Sequence, residues 1–245
     1  MPAAQNHLID RLPRPDRLRL LAACERVPLR PSQILCRSGQ VIRHAYFPIG
    51  GLISLLTRDD EQPSIEVGMV GREGMLGMSL VLGVGRAPLG AMVQGAGEAW
   101  RLAAPALKRE LLLSAALRRC LNRYIAISMA GFATSVGCQH AHLLAPRLAR
   151  WLLMSLDRAS GRELLVTQSW IARMLGVRRE GVTEIALKLQ AAGLIRYARG
   201  HITVLDRGGL ESRSCGCYAA SRLEYERLLP GLAPASAPLP PAIPG

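Results

Sequence analysis

The apolar positions of residues 166–205 predict two short helices that cross each other, followed by a β-hairpin. Thr167 can cap the first helix, because its hydroxyl accepts a hydrogen bond from a free backbone N–H. Ala172 is small where the second helix would pass, and Gly176 permits the positive φ of a tight turn between the helices. The side chains that would fill the space between the helices are Ile171, Leu175, Val177, Val182 and Ile185. This spacing is that of a helix-turn-helix.

The second helix of the pair is predicted over residues 178–190 and ends before Gly193, a residue type common just after helices. Residues 194–197 and 202–205 indicate two strands joined by a turn, which make a small wing. The face that the apolar residues leave free carries Arg178, Arg179, Glu180, Thr183 and Glu184. Such a face is typical of a helix that reads DNA in the major groove. The alternative is a pair of ordinary surface helices with solvated arginines.

Short β-like runs separated by turns occupy residues 27–102. The predicted strands cover residues 33–36, 44–47, 52–57, 64–68, 90–94 and 99–102. Many short strands with regular turn signals indicate a barrel or roll. Before them, an arm leads into a predicted helix at residues 16–26, whose apolar side contains Leu18, Leu20 and Leu21.

An apolar stripe with steps of three or four predicts one long helix over residues 117–142. Its members are Leu121, Ile125, Met129, Phe132 and Val136. Because no other segment is predicted to be long enough to cover this stripe, we expect the same helix of a second chain to cover it in a homodimer. The alternative is that the stripe, or its N-terminal part, packs on the β-roll. A further helix is predicted at residues 147–159.

The formal charge of +13, spread along 245 residues, favours a polyanionic partner. Lys108 and Lys188 are the only lysines among 31 basic residues, and arginine suits bidentate contacts with guanine and phosphate. The same arginine bias is also expected from GC-rich coding. The N-terminal stretch is charged throughout where a secretory signal would be apolar, so we expect a cytoplasmic protein. Residues 124–146 lack formal charge, but their polar side chains favour a helix buried against a partner over a membrane span.

The six cysteines are scattered, which predicts neither a disulfide framework nor a zinc site. Cys215 and Cys217 could form a redox or metal element, although two cysteines without such a role are the favoured interpretation. No metal site, and no Ser/His/Asp or phosphate-loop constellation, is predicted, so the chain is not expected to be an enzyme.

With a β-roll, a long helix and a winged helix-turn-helix in that order, the chain resembles the Crp/Fnr family of bacterial transcription regulators over about residues 25–215. The resemblance is carried by HAYFPIGGLISLL (44–56), IEVGMVGREGMLG (65–77), the long helix and QSWIARMLGVRREGVTEIALKLQAAGLI (168–195). It implies an α+β fold with a cyclic-nucleotide-binding-like double-stranded β-roll, dimerisation through the long helix, DNA recognition by the helix beginning at Arg178, and RNA polymerase as a partner. The predicted divisions are an arm and helix (1–26), the sensor roll (27–115), the dimerisation helix (116–145), the DNA-binding domain (146–215) and an extension with a disordered proline-rich tail (216–245).

The effector segments depart from the pattern of family members that bind cyclic AMP. In those members, a Gly-Glu-(small/apolar)-(Gly/Ala) turn holds the ribose and an Arg-(Ser/Thr)-Ala segment holds the cyclic phosphate. Here the turn is GREG (71–74), and the second segment is RAP (86–88), in which proline removes a backbone donor. Arg72, Glu73 and Arg86 remain candidate effector-binding residues for some anion, but a different effector, or none, is favoured over a cyclic nucleotide. The cysteines do not fit an iron–sulfur cluster, and haem ligation by His44, His140 or His142 is not favoured.

The predicted DNA contacts divide into base and phosphate contacts. Arg179 would bind a guanine, Glu180 would accept from a cytosine amino group and Thr183 would meet a methyl group or the backbone. The predicted phosphate contacts are Gln168, Ser169, Arg199 and His201. Glu184 would repel phosphate unless it pairs with Arg178 or accepts from a base. A dimer would read a palindromic operator with half-sites about one turn apart. The alternatives are a cyclic-nucleotide-responsive transcription factor and an architectural protein that binds DNA of any sequence.

Overall fold

A computed structural model of the chain describes residues 5–57, 65–159, 163–198 and 200–230. The N-terminal elements are α1 (His7–Asp10), α2 (Arg14–Ala22), β1 (Glu25–Leu29), β2 (Ile34–Cys36), β3 (His44–Pro48), β4 (Leu52–Leu56), β5 (Glu66–Val70), α3 (Met78–Val81), β6 (Gly90–Gly95), β7 (Gly97–Ala103) and α4 (Ala104–Leu113). The remaining elements are α5 (Ala115–Ala141), α6 (Leu144–Arg158), β8 (Glu163–Leu165), α7 (Gln168–Leu175), α8 (Arg179–Ala191), β9 (Ile195–Ala198), β10 (His201–Val204), α9 (Arg207–Arg213) and α10 (Cys217–Leu228). The predicted α+β order of roll, long helix and winged helix-turn-helix is confirmed.

The roll consists of two antiparallel sheets packed face to face, with strand orders β1-β7-β3 and β2-β6-β4-β5. Strand β4 is buried along its whole length, because it lies between β5 and β6 and its side chains enter two core clusters. Strand β1 was not among the predicted strands, since Pro28 interrupts its sequence pattern. Proline is tolerated there because β1 lies at the edge of its sheet among the described residues, next to β7.

The N-terminal helix is shorter than predicted and the arm before it is folded. Helix α2 ends at Ala22 rather than at residue 26, because the chain then enters β1. Ahead of it, Leu8 and Ile9 of α1 are buried in the roll core. The Asn6 side chain fastens this segment by donating to the carbonyl oxygens of Pro48 (2.9 Å) and Gly74 (3.0 Å).

The predicted long helix is present as α5, which is capped where the Ser114 hydroxyl accepts from the backbone N–H of Leu117 (3.0 Å). Its apolar stripe is divided between two environments. Leu121 and Ile125 are buried within the chain, and the Phe132 ring packs so closely on Gly68 that an added Cβ would lie 2.7 Å from it. Met129 and Val136 are 65% and 57% exposed. The alternative that the N-terminal part of the stripe packs on the roll is therefore correct. No helix of the described ranges is long and apolar enough to span a membrane.

The C-terminal extension contains a helix that the sequence analysis did not predict. Helix α10 packs along α5 and buries Tyr218 and Tyr225. The Tyr225 hydroxyl donates to the backbone oxygen of Glu73 (2.9 Å), so this helix contacts the roll as well. The proline-rich segment 231–245, where a disordered tail is predicted, lies outside the described residues.

Helix α6 joins the roll to the helix-turn-helix domain. One apolar core cluster contains residues of both parts, including Leu52, Met69 and Leu148. Polar contacts also cross this junction. The Trp151 indole N–H donates to Glu66 Oε1 (2.8 Å), and Arg158 Nε lies 3.0 Å from Glu73 Oε1. The Glu73 carboxylate also accepts from the backbone N–H of Gly71. Both carboxylates are buried, so each needs a hydrogen-bond or charge partner at the junction.

Burial raises the pKa of Glu66 to about 7 despite opposing contributions from Ser54, Trp151 and the positive charges of Arg158 and Arg150. At pH values between the usual glutamate pKa and this value, the Glu66 carboxyl is protonated in the folded chain and ionised in the unfolded chain. The free energy of unfolding therefore falls as pH rises. We expect Glu66 to lower the free energy of unfolding by about 3 kcal/mol between pH 4 and pH 8. Glu66→Gln should therefore show a smaller decrease in unfolding free energy between about pH 5 and pH 8 than the natural chain, measured by urea denaturation.

The exposed Glu98→Gln variant is the control for the Glu66 measurement, because Glu98 pairs with Arg26 at the surface. Its pH dependence should follow that of the natural chain. A Glu66→Gln chain that is less stable than the natural chain at pH 8 would contradict the assigned cost of burying this carboxylate.

Candidate nucleic-acid interface

The helix-turn-helix forms as the local sequence predicts. The Thr167 hydroxyl accepts from the backbone N–H of Trp170 (3.2 Å) and begins α7. Gly176 adopts the left-handed conformation with φ of 64° and ends α7. The Val177 backbone N–H then donates to the oxygen of Ala172 (2.9 Å), which closes the tight turn. Helix α8 is set against α7 by buried apolar residues, as predicted for this motif.

The N-terminus of α8 presents the predicted base-contacting residues to solvent. Arg178 is the N-cap residue, and Arg178, Arg179 and Glu180 are all exposed. Thr183 is half-buried, and its hydroxyl lies 2.7 Å from Gln168 Oε1 and 3.0 Å from the backbone oxygen of Arg179. The structure thus joins Thr183 on α8, predicted to contact a methyl group or the DNA backbone, to Gln168 on α7, predicted to contact a phosphate.

Glu184 has a partner one helical turn away on α8. Its carboxylate Oε1 lies 2.6 Å from Lys188 Nζ, and this hydrogen bond lowers the pKa of Glu184. The partner is Lys188 rather than Arg178, the residue considered in the sequence analysis. The i,i+4 pairing offsets the negative charge on this side of α8, although both side chains are exposed and the pair is screened by solvent.

The wing lies next to α8 and has one strand more than predicted. Strand β10 pairs with β9 and also with β8, which precedes α7 in the chain. The Tyr197 backbone N–H donates to Gln190 Oε1 (2.8 Å), so the wing is held to the end of α8. Ser169 and His201 are exposed, whereas Arg199 lies outside the described residues. Two further exposed arginines of this domain, Arg173 and Arg196, were not singled out, although their charge was the available signal.

The three candidate effector residues do not share a cavity. Glu73 is paired with Arg158 in the junction, Arg72 is half-buried, and the exposed Arg86 donates to the backbone oxygen of Gly39 (2.9 Å). A cavity of about 460 Å³ opens at the roll, but none of the three residues lines it. Its lining includes Val41, Arg43, His44, Met78 and Leu89.

The scattered cysteines are partly brought together by the fold. Cys138, His142, Cys215 and Cys217 place one donor atom each within 4.8 Å of all the others. No metal site was predicted, because the first two residues lie more than 70 positions before the last two. The available signals were the i,i+4 spacing of Cys138 and His142 on a helix and the close pair that follows the wing.

Comparison with known proteins agrees with this geometry. Residues 146–213 match the model of the Crp-like helix-turn-helix domain. FixK2 from Bradyrhizobium japonicum is similar in structure with a TM-score of 0.67 and 14% identity, over 78% of this chain and 98% of that one. The c-di-GMP-responsive regulator CLP from Xanthomonas campestris is similar with a TM-score of 0.62 and 18% identity, over 78% of this chain and 99% of that one. A CRP/FNR family transcriptional regulator from Thermus thermophilus is similar with a TM-score of 0.60 and 22% identity, over 78% of this chain and 98% of that one. A search of curated protein sequences finds no match.

Proposed function

We propose that this chain, a Crp/Fnr-type transcription regulator by its helix-turn-helix domain and its fold, binds a palindromic operator as a homodimer. The observation that carries the proposal is the N-terminus of α8, where Arg178, Arg179 and Glu180 are exposed on a helix held by the Gly176 turn. A helix presented in this way can enter the major groove with its N-terminal side chains toward base edges. RNA polymerase is the further partner that such a regulator would need.

The chemistry of these side chains suits sequence reading. The Arg179 guanidinium can donate two parallel hydrogen bonds to guanine, and the Glu180 carboxylate can accept from the cytosine amino group. Ser169 and His201 are exposed on neighbouring elements and would meet phosphates, which set the register of the protein on the duplex. The pairing of Gln168 with Thr183 would hold both side chains in place before DNA arrives.

Dimerisation is supported by the face of α5 that the chain itself leaves uncovered. Residues spaced alternately by three and four lie exposed along it, and this repeat is that of a coiled-coil seam. These residues, called the α5 seam here, are Ala126, Met129, Ala133, Val136 and His140. A second α5 related by two-fold symmetry would bury the seam and place the two α8 helices for two half-sites.

The cavity in the roll supports a small-molecule effector. Its volume of about 460 Å³ falls within the range of ligand sites, and Arg43 and His44 are basic groups in a lining that is otherwise largely apolar. Glu73 is engaged with Arg158, so it is not free to hold a ribose in this conformation. We therefore favour an anionic effector other than a cyclic nucleotide.

Selection of bound fragments from random DNA tests the proposal directly. We expect enrichment of a two-fold symmetric sequence whose half-site centres lie about 34 Å apart. Equal retention of all sequences would favour the architectural reading, which the net charge of +13 alone would also explain.

Replacing Arg179 by alanine should weaken binding to the selected operator by about 1–3 kcal/mol, or roughly 5- to 150-fold. Binding to random DNA should change far less, because the lost contact is to a base. Arg37→Ala, which removes the same charge from an exposed loop of the roll, is the matched control and should affect neither. Fluorescence anisotropy on both DNAs checks this. Equal losses of affinity for the operator and for random DNA would make Arg179 a phosphate contact.

A further inference from the structure

Four metal-ligand side chains meet at the end of α5. Cys138 Sγ lies 3.5 Å from Cys215 Sγ, and Cys217 Sγ lies 3.8 Å from His142 Nδ1. In a tetrahedral site with Zn–S bonds of about 2.3 Å, neighbouring sulfurs are about 3.8 Å apart. Because all four donor atoms lie within 4.8 Å of one another, they already have nearly the spacing of a Cys₃His tetrahedron.

The local structure explains why these donors converge. Cys138 and His142 are one turn apart at the end of α5, where His142 is the C-cap residue. Cys215 and Cys217 flank Gly216 at the start of α10, the helix that packs along α5. Cys138 and Cys215 are buried, whereas His142 and Cys217 are half-buried. The cluster therefore has two enclosed thiols and a side from which an ion can enter.

The surroundings also favour an anionic metal complex. Three thiolates and one divalent cation carry a net charge of −1. The buried side chain of Arg150 donates to the Ser135 hydroxyl (3.3 Å), and its Nε has no hydrogen-bond partner among the described residues. Cys138 and Arg150 line the same small cavity, so the guanidinium lies close to the cluster. Arg150 can balance the charge that the complex would carry.

We propose that Cys138, His142, Cys215 and Cys217 form a tetrahedral site for Zn²⁺. Binding exchanges the three thiol protons for the metal ion, the protons pass to solvent, and neutral His142 supplies the fourth ligand. His142 and Leu143 connect α5 to α6, so the ion would fix the joint between the long helix and the DNA-binding domain to the C-terminal segment. This site stands independently of the proposed DNA sequence reading.

Metal analysis of the reduced full-length chain tests the site. We expect about one Zn²⁺ per chain, and Co²⁺ added after chelation should give the charge-transfer and visible bands of tetrahedral thiolate coordination. Cys217→Ser should bind Co²⁺ at least about 100-fold more weakly, since loss of an outer-shell partner alone costs 10–100-fold. Cys36→Ser removes a half-buried thiol from the roll and should bind like the natural chain.

Circular dichroism must show that Cys217→Ser is folded, and His142→Ala provides a second, half-buried ligand deletion. Cys217→His, which retains a ligand, should recover much of the binding. A reduced, folded chain that binds neither Zn²⁺ nor Co²⁺ would overturn the site. Co²⁺ binding that is unchanged in both ligand deletions would do the same.

Discussion

Replacing Met129 and Val136 together by glutamate should make the chain monomeric and weaken binding to the palindromic operator by at least about 1000-fold. Both side chains lie exposed on the α5 seam, where a partner helix would bury them. Four glutamates would then face one another across the two-fold axis and lose their hydration. Because each monomer could occupy only one half-site, most of the specific affinity would be lost. Sedimentation equilibrium and fluorescence anisotropy measure the two effects.

A matched control for the seam variant introduces two glutamates elsewhere. Leu82 and Leu112 are also largely exposed apolar residues, and neither lies on α5. Leu82→Glu/Leu112→Glu should remain dimeric and bind the operator normally. A dimeric seam variant with full affinity would show that the two copies meet through another surface.

Replacing Arg158 by alanine should lower the free energy of unfolding by about 3–5 kcal/mol. The side chain is half-buried at the junction, and its buried Nε lies 3.0 Å from Glu73 Oε1 without an aligned hydrogen bond. Its removal leaves the buried Glu73 carboxylate without a cationic partner, with the Gly71 backbone N–H as its remaining hydrogen-bond donor among the described residues. Urea denaturation at neutral pH measures the loss.

The double variant Glu73→Gln/Arg158→Ala separates the charge from the packing. With the carboxylate replaced by an amide, the uncompensated charge is gone, so the double variant should be more stable than Arg158→Ala alone. Arg86→Ala, at an exposed arginine whose hydrogen bond within the described residues goes to a backbone oxygen, should change stability by less than about 0.5 kcal/mol. A loss below about 1 kcal/mol in Arg158→Ala would mean that the pair contributes little to the junction.

The helix-turn-helix could be predicted because its requirements are local. Thr167 caps the start of α7, Ala172 accepts from the Val177 N–H and Gly176 ends α7, so each interaction joins residues at most about five positions apart. The pairing of Glu184 with Lys188 is local as well, because i,i+4 neighbours meet on one face of a helix, although Arg178 was the partner considered from the sequence. Arg199 was predicted as a phosphate contact and stays a prediction.

The stripe on α5 shows why periodicity alone could not assign a partner. Two faces of this helix are apolar: one contains Leu121 and Ile125 and packs within the chain, and the other is the exposed seam. The stripe read from the sequence mixed residues of both faces, because a step of three or four allows several paths along a helix. Only the packing of the roll and of α10 separates them.

The cluster of Cys138, His142, Cys215 and Cys217 could not be predicted from the sequence, because its two pairs of residues are distant along the chain. Cys138 and Cys215 are 77 positions apart, and their approach depends on α10 returning along α5. That return is driven by Tyr218 and Tyr225, which are seven residues apart and buried. The tyrosines gave no clear signal, since the intervening residues of α10 are mostly polar or small.

Trp151 also gives the molecule an optical reporter of domain separation. It is one of three tryptophans, and its indole is buried with the N–H donated to Glu66 across the junction. An indole that moves from such a site into water emits at longer wavelength. Any effector or operator that moves α6 away from the roll will therefore shift the fluorescence of the unlabelled chain to longer wavelength. Replacing Trp100 and Trp170 by phenylalanine would leave Trp151 as the single tryptophan that emits.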